Sequence, residues 1–131
     1  MICVLDANAA IEVILDRPKI KLIEPFIRDS EWVLSPEIFL AEVTNVFWKY
    51  NKLGILKRDF CEEGIEKTIQ LVDHLESGTA LYREAFDLSC KINLPVYDAF
   101  YLVLARRNSA TLLSLDEKLN SAANLLDIRI L

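Results

Sequence analysis

The stretch Ile2-Cys3-Val4-Leu5-Asp6 decides the fold. Four residues without a charge, followed at once by a carboxylate, read as a short buried strand that delivers an acid at its C-terminal end. Ala7 to Leu15 is helix-compatible until the Arg17-Pro18 pair breaks it. Lys19 to Arg28 predicts a second helix, and Glu31 to Leu34 a second strand. Ser35-Pro36 predicts the start of a helix, with a capping hydroxyl and a proline at the first helical position. Strands that alternate with helices in this way imply an α/β architecture. The expected form is a mostly parallel central sheet of four to five short strands flanked by helices.

The helix from Pro36 to about Asn51 can be plotted at about 100° per residue. Phe39, Val43, Val46 and Tyr50 then form one stripe, widened by Leu40 and Phe47. Glu42 falls on the other flank, beside Ile38, Asn45 and Lys49, at the border of core and cleft. Leu53-Gly54 closes this helix, with glycine at the position after the cap. Asp59 to roughly His74 predicts a further helix, with Phe60, Cys61, Gly64, Ile65, Thr68, Leu71, Val72 and Leu75 facing inward. Ser77-Gly78 is a break, Thr79 to Ile92 is helical, and Asn93-Leu94-Pro95 ends it. Val96-Tyr97-Asp98 opens a helix, Ala99 to Arg107, that is apolar nearly all round and is therefore buried. Thr111 to Leu115 predicts a strand, Asp116 to Ala123 a short helix, and Ile128 to Leu131 a last strand.

A chain of 131 residues, 53% hydrophobic and 27% charged, is long enough to bury its own core. Residues 1–131 are expected to form a single domain. No uncharged stretch approaches the roughly 18 residues of a membrane span, and the N-terminus lacks the basic region of a signal peptide. Cys3, Cys61 and Cys90 are odd in number and show no C-x-x-C spacing, so they read as reduced core residues of a cytoplasmic protein. The net charge of −5 argues at first against a nucleic-acid partner. A cluster of acids around divalent cations would neutralise part of that charge locally.

Four carboxylates resist a purely structural explanation. Asp6 and Asp116 each directly follow a strand, where ligands bind in open parallel sheets. Asp98 opens a helix too apolar to be solvated, and Glu42 flanks the inner stripe of its own helix. Taken singly, Asp6, Asp98 and Asp116 are acceptable helix caps or first-turn residues, and Glu42 could pair with Lys49 or solvent. If the sheet gathers them within about 5 Å, mutual repulsion raises some pKa values strongly unless a cation intervenes. Oxygen ligands without a nearby His or Cys suit Mg²⁺ or Mn²⁺. Such ions clamp phosphate oxygens and acidify an attacking water.

Four motifs carry a resemblance: Val4-Leu5-Asp6-Ala7-Asn8; Pro36-Glu37 leading to Ala41-Glu42-Val43-Thr44-Asn45; Tyr97-Asp98-Ala99-Phe100-Tyr101; and Leu113-Ser114-Leu115-Asp116-Glu117-Lys118-Leu119. In order and spacing the chain resembles, over essentially its whole length, the PIN-domain nucleases and in particular the short VapC-type toxins. The resemblance implies a PIN-like fold and a divalent-metal-dependent endoribonuclease that cuts single-stranded or looped RNA. It gives metal and catalytic roles to Asp6, Glu42, Asp98 and Asp116, with Glu42 completing the site or acting as base toward the attacking water. Displacement of the 3′ oxygen would leave a 5′ phosphate. Asn8 and Ser114 fall where the family often has a polar side chain touching the acids or their waters. Ser114 stands where Thr is more usual, and Asn8 where Ser or Thr is commoner. The resemblance also implies a small antitoxin partner that covers the acidic cleft with its C-terminal segment, and a homodimer.

Competing readings are fewer. A haloacid-dehalogenase-like phosphatase uses the aspartate after its first strand as nucleophile but wants a second aspartate where Asn8 stands. A phospho-receiver domain expects more acids beside that strand and a late lysine. A PIN-like RNA-binding or interaction module with weak catalysis is the non-enzymatic alternative; loss of one acid would be its signature, and all four remain. Gly-rich phosphate loops and G-x-S-x-G elbows are absent. His74, the only histidine, reads as a structural residue near a helix end. Trp32 is expected in the core, and Trp48 opposite the core stripe of its helix. Two basic groups, Arg17 with Lys19 and Lys21, and Lys49, Lys52, Lys57 and Arg58, are solvated surface or contacts to an RNA backbone.

Overall fold

The computed structural model describes all 131 residues. In chain order the elements are β1 (Ile2–Leu5), α1 (Ala7–Ile14), α2 (Ile20–Asp29), β2 (Trp32–Pro36), α3 (Ile38–Lys52), α4 (Arg58–Ile69), β3 (His74–Glu76), α5 (Gly78–Ile92), α6 (Val96–Arg107), β4 (Thr111–Leu113) and α7 (Glu117–Leu125). The strands form one sheet in the order β3-β2-β1-β4, and every pairing is parallel. Parallel strands need helical crossovers, which cover both faces and force the strands to be apolar on both sides.

Alternation along the strands divides the core in two. Val4, Leu34 and Leu112 point to one face, where Leu81, Ala85, Leu102 and Leu119 from α5, α6 and α7 meet them. Cys3, Leu5, Val33 and Leu113 point to the other, against Ile11, Phe39, Val43, Phe47 and Cys61 from α1, α3 and α4. The all-round apolar character of the Val96–Arg107 helix is explained by this placement: α6 crosses β1, β2 and β4 and is itself covered by α5. Gly54 closes the turn after α3 at φ 72, a left-handed conformation that glycine adopts without strain.

Several expectations need correction. Ser35 and Pro36 belong to β2 and start no helix; the Ser35 hydroxyl donates across the sheet to the Leu5 carbonyl at 2.6 Å, and α3 begins at Ile38 without a side-chain cap. The helix expected to reach His74 stops at Ile69, and His74 opens β3, its ring 3.3 Å from Glu76. Asp73 fixes that edge, accepting from the Val33 amide at 2.8 Å while its own amide donates to the Val33 carbonyl. A three-residue strand held by backbone bonds has no side-chain period to betray it. Phe60 is exposed although placed on the inner face of its helix. Trp32 is 53% exposed, because β3 joins β2 only from Leu34 onward and leaves the first residues of β2 at an open edge. Cys90 is exposed, unlike Cys3 and Cys61. Thr111 to Leu115 shortens to Thr111–Leu113, and Ile128 to Leu131 contributes a single bridge, Ile130 to Leu112.

The packing of α4 on α3 yields a stability prediction. A Cβ at Gly64 would stand 2.7 Å from Cε1 of Phe47, a fully buried ring that would have to shift. Overpacking of this kind costs about 1–3 kcal/mol, against a helix-propensity gain of up to about 1 kcal/mol. Gly64→Ala is therefore expected to lower stability by about 1–2 kcal/mol. Urea unfolding reads this directly, and an unchanged or raised midpoint refutes the close packing.

Candidate active site

The chain leaves β1 toward β2 on one side, while β4 returns on the other. In open parallel sheets, ligands bind at such a reversal, outside the carboxyl ends of the strands, which here are β1 and β4. Asp6 stands one residue beyond β1 and Ser114 one beyond β4. Since Leu5 pairs with Leu113, Asp6 and Ser114 are next in register, and the Ser114 hydroxyl donates to Asp6 Oδ2 at 2.8 Å. Ser114 Oγ in turn accepts from the Asp116 amide at 3.0 Å. Asp116 in turn caps α7, its Oδ1 accepting from the Leu119 amide at 2.9 Å. The Asn120 amide nitrogen ties α7 back to the Ser114 carbonyl at 2.9 Å.

The capping explanation thus applies to Asp116 and fails for Asp6. Asp6 occupies the cap position of α1, yet its side chain makes no cap bond and faces Ser114 instead. Asp98 lies in the first turn of α6, whose cap is Pro95. Glu42, on α3, does not pair with Lys49; its Oε1 accepts from the Tyr101 hydroxyl at 2.6 Å.

Electrostatics connect the four acids. Burial pushes Asp6 up to about 7, and the charges of Glu42 and Asp116 push the same way against the Ser114 bond and the Ala7 amide. Glu42 is raised first by burial and then by Asp98, while the Tyr101 bond holds it down. Asp98 is raised by burial and by Asp116, with Lys118 opposing. The repulsions run Asp6–Glu42, Glu42–Asp98, Asp98–Asp116 and Asp116–Asp6, a closed ring. Charges that perturb one another in this way share one site. No three His, Cys, Asp or Glu side chains stand in a ligating geometry, so the four acids do not form a preassembled cation cage.

Two residues escaped the sequence reading. Tyr101 is 1% exposed, one helical turn after Asp98 on α6, and faces both Asp6 and Glu42. Burial and those two carboxylates raise its hydroxyl well above the usual phenol value, so it remains a donor that fixes Glu42. Its i, i+3 spacing from Asp98 was the available signal. Asn120, four residues after Asp116, holds the loop carrying Ser114. Asn8 is exposed on the first turn of α1, and no hydrogen bond joins it to the acids.

Oxygen donors that are partly desolvated and repel one another, with the Tyr101 phenol and the Ser114 hydroxyl as fixed donors, are of the type that hard divalent cations take. The family model of the PIN domain matches residues 3–125, nearly the whole chain. The chain belongs to the PIN domain family. As a PIN domain it is similar to Ribonuclease VapC3 of Pyrobaculum aerophilum, with 27% identity over 118 residues, covering 88% of this chain and 90% of that relative. The crystal structure of PAE2754 from Pyrobaculum aerophilum shares the fold with a TM-score of 0.75 and 20% identity, covering 93% of this chain and 87% of that one. VapBC2 of Rickettsia felis, solved bound to a DNA fragment from its promoter, aligns with a TM-score of 0.69 and 16% identity, covering 100% of this chain and 98% of that one.

The buried Asp6 carries a stability consequence. Its native pKa exceeds the unfolded value, so the folded chain binds the proton more tightly between about pH 4 and pH 7. Stability from this group is present below that window and is lost as pH rises through it. Asp6→Asn keeps the shape and removes the charge. At pH 8 the variant is expected to exceed the parent by roughly 2–4 kcal/mol, a gain that shrinks toward zero at pH 4. Guanidinium unfolding at both pH values measures it; an equal difference at both would mean that Asp6 does not titrate near neutrality.

Proposed function

We propose that this PIN domain is a divalent-metal-dependent endoribonuclease that hydrolyses RNA phosphodiester bonds, acting as the toxin of a type II toxin–antitoxin pair. The observation that carries the reading is the closed ring of repulsion among Asp6, Glu42, Asp98 and Asp116 at the carboxyl ends of β1 and β4. Four mutually repelling acids are costly to gather, and their retention disfavours a binding module that has lost catalysis. The similarity to Ribonuclease VapC3 supports RNA as substrate.

The donor set fits Mg²⁺ or Mn²⁺, which Asp6, Asp98, Asp116 and Glu42 would hold; Asp116 is exposed and Asp98 and Glu42 are half-exposed, within reach of a cation from solvent. When bound, such a cation supplies neutralisation of phosphate charge and a more acidic water. The chain's own groups do the rest. Ser114 orients Asp6 through its hydroxyl. Tyr101 fixes one oxygen of Glu42, leaving the other to take a proton from the attacking water. Asn120 and the cap of α7 keep Asp116 at the rim. No covalent intermediate with the protein is required.

The partners proposed are an RNA substrate, a small antitoxin and a second copy of the chain in a homodimer, in a cytoplasmic setting. Support for the antitoxin comes from fold neighbours whose names describe VapBC assemblies, among them VapBC-1 of nontypeable Haemophilus influenzae. No helix is long and apolar enough to cross a membrane.

Asp98→Asn provides the test. RNA cleavage in Mn²⁺ is expected to fall by about 100-fold or more. Mn²⁺ should also raise the melting temperature of the parent at pH 8, by mass action on the folded state, and much less that of the variant. Undiminished turnover in a clean preparation, or equal stabilisation of both proteins, refutes the assignment.

A further inference from the structure

We propose that the slot between α3 and the start of α6 is a nucleobase subsite, where Tyr97 stacks a base of single-stranded RNA beside the acids. This rests on the ribonuclease reading and names how that site would take its substrate. The slot has a volume of about 460 Å³ and is lined by Ile38, Ala41, Glu42, Asn45 and Tyr97.

The four α3 residues lie at i, i+3, i+4 and i+7, one face of the helix. Ile38 and Ala41 give that face an apolar surface, Asn45 an amide with both donors and acceptor, and Glu42 a carboxylate. Tyr97 faces them from α6, 64% exposed and one residue before Asp98. A flat apolar surface facing an aromatic ring, with polar groups along one edge, matches a ligand with π-faces and a polar rim.

Tyr97 also differs from the other tyrosines. Tyr50 receives a hydrogen bond from Arg17 and carries its guanidinium over the ring; Tyr82 is engaged in the same two ways by Arg83; Tyr101 is bonded to Glu42. No cation lies over the Tyr97 ring and its hydroxyl has no partner within the chain. Charge selects which part of RNA enters. Glu42 on one wall and Asp98 next to the other repel phosphate, whereas a base is uncharged and offers a polar rim that the Asn45 amide can pair with. Since Glu42 belongs both to the slot and to the ring of acids, a base seated here would set an adjoining phosphate at the site. A base paired within a duplex cannot enter, so the slot requires an unpaired strand.

The experiment is a coupling measurement. Binding of a short fluorescein-labelled single-stranded RNA is followed by anisotropy in Ca²⁺ buffer, for the parent, Tyr97→Ala and Tyr97→Trp, with the intact RNA and with RNAs abasic at one position in turn. The parent is expected to lose about tenfold or more in affinity at one abasic position. Tyr97→Ala should lose a similar factor on the intact RNA and be indifferent to that same abasic position, and Tyr97→Trp should restore both affinity and sensitivity. Equal binding of all RNAs by parent and Tyr97→Ala, no measurable binding by the parent, or a uniform loss without coupling overturns the subsite. Sedimentation of Tyr97→Ala adds a further outcome: conversion of a dimer to a monomer makes the ring a subunit contact and also overturns it. Cleavage of RNA by the parent in Mn²⁺ is scored separately. Cleavage without coupling discards the subsite and leaves the ribonuclease; coupling without cleavage does the reverse.

Discussion

Ser114 to Asp6 is the hydrogen bond on which the cleft depends. A carboxylate with almost no solvent access at the end of β1 is unfavourable, and burial alone drives its protonation toward neutrality. The serine hydroxyl offsets part of that cost and fixes the direction of the carboxylate. It performs a second task through its lone pair, drawing in the Asp116 amide and turning the chain into α7. One side chain thereby orients one acid and places another. The bond exists because β1 and β4 are adjacent and parallel with Leu5 opposite Leu113, so a slip by one residue would turn Asp6 into the opposite face.

Everything that surrounds the acids follows from the same sheet. Parallel strands are covered by helices on both faces, and the crossover helices begin where the strands end. α3 carries Glu42 in its second turn and α6 carries Asp98 in its first, so both project over the edge where Asp6 emerges. α6 is buried through its middle and shows charge only at its ends, Asp98 in the first turn and Arg106 and Arg107 in the last. The same geometry leaves Tyr97 in solvent one residue away from Asp98.

Concentrating repulsive charge in this way destabilises the fold at neutral pH, as expected of a site kept for function rather than stability. The compensation is local and identifiable: Ser114 on Asp6, Tyr101 on Glu42, the α7 amide on Asp116 and Lys118 near Asp98. Outside the cleft the charges are ordinary exposed pairs such as Arg58 with Glu62 and Lys67 with Glu63, which contribute little to stability.

Three of the four strands, most of the helices and the parallel character of the sheet are legible in the sequence, because each depends on a local pattern, and the four acids stand out there as candidates. An apolar run before Asp6 is a buried strand whatever follows, and an all-round apolar stretch after Asp98 is a covered helix. The sequence by itself left other matters open. β3 has no side-chain period, since backbone bonds to β2 and the Asp73 clasp hold it. Ser35 reads as a cap until the neighbouring strand supplies the Leu5 carbonyl. Trp32 reads as core until the shortness of β3 leaves it uncovered. Tyr101 gains its meaning only when α6 lies beside α3, since the bond to Glu42 joins positions 59 residues apart. Local pattern fixes which residues are apolar, helical or charged; only the packing of distant segments decides which polar atoms meet, because a hydrogen bond depends on a few tenths of an ångström that no spacing along the chain specifies.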